Sequence, residues 1–477
     1  MIKTGKRKIY NNLNQIINNN KITFLKHQID PWMYLQNHKA ILLYHKMGSG
    51  KTISSLYAAI KFNKPTIIIG PKSSKKSFID DLNKLSGVLN FKLANFEFYT
   101  YQKIINLLKS NFDLLKDKVV ILDEVHHLRS QTNLMMFIIS SLPTAYKIIM
   151  LSGTPIINHP VDLCVLVNII KGQEILTVDK SLFDFYYIEN ILIDNHYDKY
   201  QIKLKNIQEL QLKLSDAIHY YEPINLSQGL KIGIEYPTVY LSKVQLIEYK
   251  NYIVRFIHPV SKRIVHLETD INVDDYNIDF INLDVKKKNA FLSATRQLSN
   301  TINNEYNSPK IIEIVEKIRT GNLPVVVYSN YLTNGIYPIS LKLNEFNINH
   351  KIIKGSTSSE KMDKIINDYN NRLFDVLLLS SAASESITLL NTRQIHIMEP
   401  HFNEAKINQV IGRAIRYKSH DLLPINQREI KIYHWCSIFP NIIQYKTADE
   451  YLIYLGKKKQ DLIDKFIEVV KSVSIKI

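Results

Sequence analysis

Two short stretches of the sequence combine residue types and spacings that suit phosphate chemistry. The first, HKMGSGKT, follows the apolar run KAILLY and precedes a segment with helically spaced apolar residues. A glycine-rich loop between a strand and a helix offers backbone amides to phosphates, with a Lys for the outer phosphates and a Thr for Mg²⁺. The sequence therefore predicts an ATP and Mg²⁺ site made by His45, Lys46, Met47, Gly48, Ser49, Gly50, Lys51 and Thr52. In this stretch His45 occupies the position of the first Gly of the pattern G-x-x-x-x-G-K-[ST], and a chance turn is the alternative.

The second stretch, KVVILDEVHHLRS, is an apolar strand that ends in two carboxylates. Ligands bind open α/β sheets at the carboxyl ends of the strands, so Asp123 and Glu124 are expected at that edge. Asp123 is predicted to hold Mg²⁺, and Glu124 to act as the general base for the attacking water. A solvated acidic turn is the alternative, but the glycine loop upstream makes the joint pattern much more specific.

The elements around these stretches predict an α/β fold. PTIIIG and YKIIML are two further strand-like runs, and with KAILLY and KVVILD they alternate with helical segments. Such alternation is typical of a parallel sheet covered by helices.

The second half of the chain repeats the pattern. LPVVVYSNY begins a new series, and Val376–Leu379 and Gln394–Met398 are predicted strands. Ser358 is a plausible helix N-cap, although Lys361 stands where a capping box would have Glu. We therefore expect a second sheet domain of the same type.

Composition bounds the class of protein. The 477 residues carry 61 Lys and Arg against 44 Asp and Glu, a net charge of +17, which favours a nucleic-acid partner. Inflated Asn, Ile, Lys and Tyr contents, as in an AT-rich genome, are the alternative cause. Two distant cysteines, Cys164 and Cys436, build no zinc site or disulfide framework and indicate a reducing compartment. No apolar run approaches about 18 residues, so we expect no membrane span and no secretion.

Together, HKMGSGKT, ILDEVHHLRS and LSGTPIINHP resemble the superfamily 2 helicases and translocases of the Swi/Snf-like branch. In that branch the first glycine of the loop is often replaced, and the tetrad beginning at Asp123 is a DExH box. FLKHQIDPWMYL resembles the segment whose Gln contacts adenine, which implies that role for Gln28.

The resemblance also implies nucleic-acid contacts and coupling residues. GPKSSKKSF and FYTYQKI resemble motifs that grip one strand, although a solvated basic loop is the alternative. The implied nucleic-acid contacts are Pro71, Lys72, Tyr101, Gly355, Ser356 and Ser380. The implied coupling residues are Ser152, Thr154 and Glu385, the last within a loop, residues 382–386, where relatives often have glycines.

INQVIGRAIRYKSH matches the Q-x-x-G-R-x-x-R motif of the superfamily through Gln409, Gly412, Arg413 and Arg416. The two arginines are three residues apart, which predicts that they share one helix face. Arginine suits phosphate because its planar fork stays charged and spans two oxygens. The resemblance implies catalytic roles for Gln409 and for both arginines, which stabilise transition-state charge when the second domain closes on ATP.

The order of the motifs predicts a domain organisation. We expect two RecA-like parallel-sheet lobes, with a mostly helical segment between them and a C-terminal helix. The predicted boundaries are a basic segment 1–21, a first lobe 22–170, an inter-lobe segment 171–307, a second lobe 308–445 and a helical extension 446–477. The closing helix has apolar residues at helical spacing, Leu462, Phe466, Val469 and Val470, which fits either packing on the protein or binding a partner.

RQIHIMEPHFNEAKINQVIGRAIRYKSH and the C-terminus further resemble the compact ATPases of large cytoplasmic DNA viruses and related linear plasmids. That group includes the poxvirus early transcription factor small subunit and nucleoside triphosphatase I. The resemblance implies a nucleic-acid-dependent ATPase that translocates on double-stranded DNA in viral-type transcription, in the cytoplasm, a viral factory or a virion. A viral RNA polymerase or a second transcription-factor subunit is the implied protein partner. A strand-separating helicase on DNA or RNA and a non-motor, ATP-switched assembly factor are the alternatives.

Overall fold

Two sheets of buried apolar strands organise the structure, a computed structural model. It describes residues 23–46, 48–130, 132–192, 200–223, 227, 229–257, 285–302, 307–381, 387–401, 404–416, 418–440 and 446–476. The described residues fall into two units, one within 1–224 and 459–477 and the other within 225–458, which we call lobe 1 and lobe 2. Among the described helices, none combines the length and apolar character that crossing a membrane requires.

Lobe 1 begins with an alternation of helices and strands that matches the predicted pattern. Its elements are α1 (Lys26–Leu35), β1 (Ala40–His45), α2 (Lys51–Phe62), β2 (Thr66–Ile69), α3 (Lys75–Ser86), β3 (Phe96–Tyr99), α4 (Tyr101–Ser110), β4 (Val119–Asp123), α5 (Asn133–Ser141), β5 (Lys147–Ser152), α6 (Val161–Lys171), α7 (Lys180–Tyr187), β6 (Ile188–Leu192), β7 (Tyr200–Leu204), α8 (Ile207–Leu214) and β8 (Ile218–Tyr221).

Six of these strands form a parallel sheet in the order β3-β2-β4-β5-β1-β8. The four strands predicted in the first half are β1, β2, β4 and β5, and β3 and β8 extend the sheet at its two edges. Successive residues of β1 enter opposite cores: Leu42 packs with one apolar cluster, and Ile41 and Leu43 pack with another. A parallel sheet buried on both faces needs such continuous apolar strands.

Lobe 2 contains the second series. Its elements are β9 (Lys231–Glu235), β10 (Thr238–Tyr240), α9 (Lys243–Ile257), α10 (Val285–Asn300), α11 (Pro309–Thr320), β11 (Val325–Ser329), α12 (Tyr337–Glu345), β12 (His350–Ile353), α13 (Ser359–Asn370), β13 (Val376–Ser380), β14 (Gln394–Ile397), α14 (Glu404–Ala414), β15 (Glu429–His434), β16 (Cys436–Ile438) and the start of α15 (Ala448–Ser472).

The lobe 2 sheet is also parallel, in the order β12-β13-β11-β14-β15-β9. It has an apolar core on each face, so the fold is the predicted pair of RecA-like sheets. The side chain of Ser358 accepts a hydrogen bond from the amide of Lys361, which confirms the predicted N-cap of α13.

The segment predicted to lie between the lobes is divided between them. The described residues of 171–224 group with lobe 1, and those of 225–307 group with lobe 2. The segment contains helices but also strands β6 to β10, of which β6 and β7 form an antiparallel hairpin.

The described C-terminal residues 459–476 group with lobe 1 rather than forming a separate extension. Phe466, Val469 and Val470 are buried in one of the two lobe 1 cores, and Leu462 is also buried. The amide of Ile475 donates to the carbonyl of Ile218 in β8. The apolar face seen in the sequence is therefore a packing face.

Candidate nucleotide site

Two residues of the loop between β1 and α2 have a backbone conformation that favours glycine. Gly48 and Gly50 adopt left-handed φ values of +77° and +78°, which a residue with a Cβ rarely takes. His45 is instead the last residue of β1, and its φ is not positive. The position of the missing first glycine therefore makes no demand for glycine, which explains why His is accepted there.

Lys51 and Thr52 are the first residues of α2, and both are half-buried. The Lys51 ammonium donates a hydrogen bond to the His45 carbonyl at 3.0 Å. The structure therefore brings together the described members of the predicted loop, whereas Met47 lies outside the described residues.

Gln28, predicted to contact adenine, lies against the loop. A Cβ added to Gly50 would lie 2.6 Å from Nε2 of Gln28 at a φ of +78°, so a larger residue would displace this amide and strain the backbone. Oε1 of Gln28 accepts a hydrogen bond from the amide of Leu25 at 2.9 Å. The α1 helix thus contacts the loop at Gly50.

A buried histidine cluster, which the sequence analysis missed, lies beside the loop. Nε2 of His45 is 2.7 Å from Nδ1 of His219, whose Nε2 is 3.7 Å from a carboxylate oxygen of Asp30. Burial, with His219 and Lys51 nearby, holds the pKa of His45 well below its usual value, so this ring is neutral. One signal of this cluster was visible in the sequence, a His in place of Gly, but nothing there indicated its partner 174 residues away.

His27 completes this cluster. Its Nε2 lies 2.8 Å from the carbonyl oxygen of Ser49, within the loop. Its ring stacks on Tyr221 at the end of β8, with centroids 3.6 Å apart.

The DExH carboxylates lie at the carboxyl end of β4, as the strand pattern predicted. Burial and the neighbouring Glu124 raise the pKa of Asp123 to about 6, against the opposing effects of a hydrogen bond from Ser74 and the charge of Lys51. Ser74 belongs to the basic loop after β2, and sequence reasoning had not assigned it a role. An oxygen ligand set of the Asp123 carboxylate and the Thr52 hydroxyl suits Mg²⁺, and a bound cation would relieve the cost of burying this charge.

Glu124 has a left-handed backbone conformation, with φ of +50°. Such a φ is uncommon for a residue other than glycine and frequently occurs at functional turns. It ends β4 sharply before the 3₁₀ turn Val125–Ser130. Nδ1 of His126, the His of the DExH tetrad, is 3.3 Å from the Glu124 carboxylate.

Ser152 and Thr154, predicted as coupling residues, follow the end of the neighbouring strand β5. Ser152 is buried, and its hydroxyl accepts a hydrogen bond from the Thr154 amide at 3.1 Å. Because β5 lies between β1 and β4, this turn shares a sheet edge with the glycine loop and the DExH box. Glu385, the third predicted coupling residue, lies outside the described residues, as does the whole of 382–386.

The predicted nucleic-acid residues of lobe 1 occupy different environments. Lys72 is exposed and Pro71 half-exposed, just after β2. Tyr101 is buried, and its hydroxyl donates to the backbone carbonyl of Asp123 at 2.8 Å. That hydroxyl therefore supports the DExH turn from below the surface.

In lobe 2, Gly355 and Ser356 lie on an exposed turn after β12, whereas Ser380 is buried at the end of β13. Two of these three residues are thus accessible to a large partner.

Gln409 and Arg413 lie on α14, but Arg416 follows the end of this helix at Ala414. Arg416 is anchored by hydrogen bonds from Nη1 to the Thr388 hydroxyl at 2.7 Å and from Nε to the Gly412 carbonyl at 3.1 Å. Burial and the charge of Arg413 lower the pKa of Arg416 to about 10, so it remains cationic at neutral pH. The prediction that the two arginines share one helix face is therefore wrong, because the helix ends at Ala414. The charge of Arg413 nevertheless acts on Arg416.

Comparison with known proteins agrees with this arrangement. The family models for the SNF2-related domain, the helicase conserved C-terminal domain and the type III restriction enzyme res subunit match residues 95–317, 310–418 and 6–157, respectively.

Three curated viral proteins are similar along most of their length. The putative ATP-dependent RNA helicase L538 of Acanthamoeba polyphaga mimivirus is 43% identical, over 95% of this chain and 98% of its own. Nucleoside triphosphatase I of Choristoneura biennis entomopoxvirus is 27% identical, over 98% of this chain and 81% of its own. The termination factor NPH-I homolog of African swine fever virus is 24% identical, over 92% of this chain and 76% of its own.

Proposed function

The chain belongs to the Swi/Snf-like branch of the superfamily 2 helicases, among viral ATPases, and on that premise we propose that it couples ATP hydrolysis to translocation along double-stranded DNA. ATP hydrolysis itself follows from the helicase domains and from relatives named as ATP-dependent helicase and nucleoside triphosphatase. The observation that carries the proposal is that the glycine loop and the DExH carboxylates follow strands β1 and β4 of one sheet. The match to the SNF2-related domain supports the same proposal.

Each step of hydrolysis has a candidate group in this chain. The loop amides and Lys51 bind and neutralise the phosphates, and Gln28 contacts the base. Thr52 and Asp123 would hold Mg²⁺, which when bound neutralises phosphate charge. Glu124 accepts a proton from the attacking water.

The second lobe contributes Gln409, Arg413 and Arg416. The two cations are assigned to stabilising the charge that develops on the transferring phosphate. A non-motor assembly factor that uses ATP as a switch would not need Glu124 and both arginines, so their presence disfavours that alternative.

The partner is proposed from charge and from exposed residues. The net charge of +17 and the exposed Lys72, Gly355 and Ser356 support contact with a nucleic-acid backbone. Such contacts carry little sequence information, so target choice falls to a protein partner. The relative named as a termination factor supports a role in viral transcription, with a viral RNA polymerase or a second transcription-factor subunit as that partner. A viral factory or virion in the cytoplasm is the corresponding location.

A strand-separating helicase is the second candidate, because the relative that is 43% identical is named as an RNA helicase. The two functions differ in substrate and product. We propose to measure the ATPase rate of the full chain with double-stranded DNA, single-stranded DNA and RNA in turn. Displacement of a triplex-forming strand and unwinding of a duplex would then be assayed with each stimulating nucleic acid, with Glu124→Gln as the hydrolysis-deficient control.

For a translocase, stimulation by duplex DNA and triplex displacement without unwinding are expected. RNA stimulation with robust duplex unwinding would reject translocation in favour of the second candidate. Triplex displacement by the Glu124→Gln variant would show that displacement is passive and does not depend on hydrolysis.

A further inference from the structure

His27 is buried at the start of α1, one residue before Gln28, and contacts the glycine loop directly. Its Nε2 lies 2.8 Å from the carbonyl oxygen of Ser49. A carbonyl oxygen can only accept a hydrogen bond, so Nε2 must carry the proton and donate it. Burial lowers the pKa of His27, which keeps the ring in this neutral form near neutral pH.

The ring of His27 is held in place by aromatic neighbours. It lies parallel to the ring of Tyr221, with an interplanar angle of 9°, and edge-on to His45 at 5.8 Å between centroids. His45 is in turn bonded to His219. Since these contacts restrict both the position and the tilt of the imidazole, its donor has a fixed direction toward Ser49.

The peptide bond between Ser49 and Gly50 transmits this direction. A trans peptide is planar, so the carbonyl of Ser49 and the amide of Gly50 point to opposite sides. The hydrogen bond from His27 holds the Ser49 carbonyl toward His27, and the Gly50 amide therefore points away from His27. A peptide beside a glycine is otherwise easily reoriented, because glycine adopts positive and negative φ with little difference in energy.

Gly50 immediately precedes α2. At this position a phosphate-binding loop presents its backbone amides to the phosphates. Gln28 contacts the same residue from the same helix, since its Nε2 lies 2.6 Å from the position of a Gly50 Cβ. Two successive α1 side chains thus hold the same peptide region, one at its carbonyl and one at its glycine.

We propose that His27 is a positioning residue that fixes the Ser49–Gly50 peptide so that the Gly50 amide faces the nucleotide phosphates. The inference rests on the proposed ATP site. The Gly50 amide would bind phosphate in the ground state and the transition state alike. Loss of its orientation is therefore expected to weaken nucleotide binding more than it lowers kcat.

Two amide side chains of different length provide the test. The Nε2 of Gln occupies about the position of the His Nε2, whereas the shorter Asn falls one methylene short of Ser49. His27→Phe retains an aromatic ring over Tyr221 but removes the donor. The Kd for MgADP would be measured for the full-length chain and each variant by competition with a fluorescent methylanthraniloyl-ADP, alongside the kcat for ATP and the unfolding temperature.

His38→Asn is the matched control. Nδ1 of His38 lies 2.9 Å from a backbone carbonyl, that of Tyr34, and its ring stacks on Tyr34 with centroids 3.8 Å apart, but the contact is at the opposite end of α1. The His38→Asn variant is expected to have the same Kd for MgADP as wild type.

His27→Gln is expected to bind MgADP within about twofold of wild type, and His27→Asn and His27→Phe about tenfold more weakly, which corresponds to one lost hydrogen bond. The kcat at saturating ATP is expected to stay within about threefold. Equal weakening by Gln and Asn, or unchanged affinity in Phe, would overturn the inference. If Asn fails to fold, the comparison of Gln with Phe decides in the same way. Absence of MgADP binding by the wild-type chain would reject the ATP site itself.

Discussion

The ammonium of Lys51 donates a hydrogen bond to the backbone carbonyl of His45, at 3.0 Å, so its side chain spans the loop that separates the two residues. The same charge acts on Asp123 and lowers its pKa against the effect of burial. The cation therefore lies among the three parts of the proposed site in lobe 1: the end of β1, the glycine loop and the DExH box.

Lys51→Ala is expected to lower kcat/KM for ATP by at least about 10², because it removes the positive charge provided for the outer phosphates. Steady-state ATPase measurements with saturating nucleic acid check this result. Lys61→Ala, at the other end of α2, removes a charge that lies over Trp32 and Tyr57 and is expected to leave turnover unchanged. Similar rates for both variants would remove Lys51 from the site.

Glu124→Gln is expected to reduce kcat by about 10²–10⁴, because the amide has the size of the carboxylate but cannot accept the proton of water. The affinity for MgADP is expected to be retained. Asp117→Asn provides the control, since Asp117 is also an acidic residue of lobe 1 with a positive φ, +57°, but is exposed away from the DExH turn. Retention of turnover in Glu124→Gln would exclude Glu124 as the base.

Gly50→Ala is expected to abolish measurable nucleotide binding, because the new Cβ would lie 2.6 Å from Gln28 at a left-handed φ. Gly172→Ala separates the two causes, since Gly172 has a φ of +69° but nothing within 4 Å of the added Cβ. That variant is expected to lose about 1 kcal/mol of stability with unchanged MgADP affinity. Thermal unfolding and MgADP titration of both variants check this, and normal binding by Gly50→Ala would contradict it.

The ATPase rate is expected to fall as the pH decreases through about 6, where Asp123 takes up a proton and loses its capacity to bind a cation. Raising the Mg²⁺ concentration favours the ionised carboxylate and is expected to move this acid limb to lower pH. Because the pKa of Asp123 is higher in the folded chain than in the unfolded chain, its ionisation lowers the free energy of unfolding. This destabilisation decreases as the pH falls through about 6. The measurement is a set of pH profiles at several Mg²⁺ concentrations, with unfolding temperatures at each pH. An acid limb independent of Mg²⁺ would exclude this role for Asp123.

Arg413→Lys and Arg416→Lys are both expected to reduce nucleic-acid-stimulated kcat by at least about 10², because lysine lacks the planar fork. Arg416→Lys is also expected to lower the unfolding temperature, because the Arg416 guanidinium donates hydrogen bonds to the Thr388 hydroxyl and the Gly412 carbonyl. Arg319→Lys, in an exposed pair with Glu316, is the control. Turnover within twofold of wild type in Arg413→Lys would contradict its assignment.

Local sequence determined the parts of the proposed site that are contiguous in the chain. Glycines before Lys51 specify a left-handed loop, and an apolar run before Asp123 specifies a buried strand whose end presents that carboxylate. These follow from backbone preferences and from the polarity of neighbouring residues, which act over a few positions. The same reasoning predicted β1, β2, β4 and β5 of the first sheet, β11, β13 and β14 of the second, and the N-cap at Ser358. It did not predict the outer strands β3, β8, β9 and β15.

Tertiary structure alone decided which distant residues meet. The pairing of β1 with β8 brings His219 and Tyr221 to His45, and helix α1 places His27 on the ring of Tyr221. Nothing in the local pattern of these stretches indicates their partners. The closing helix shows the same limit: its apolar spacing predicts that Phe466 is buried, but only the fold identifies the lobe 1 core as its place. Periodicity reports the polarity of a face, whereas the choice of partner depends on strand order and on the fit of side chains that are far apart in the chain.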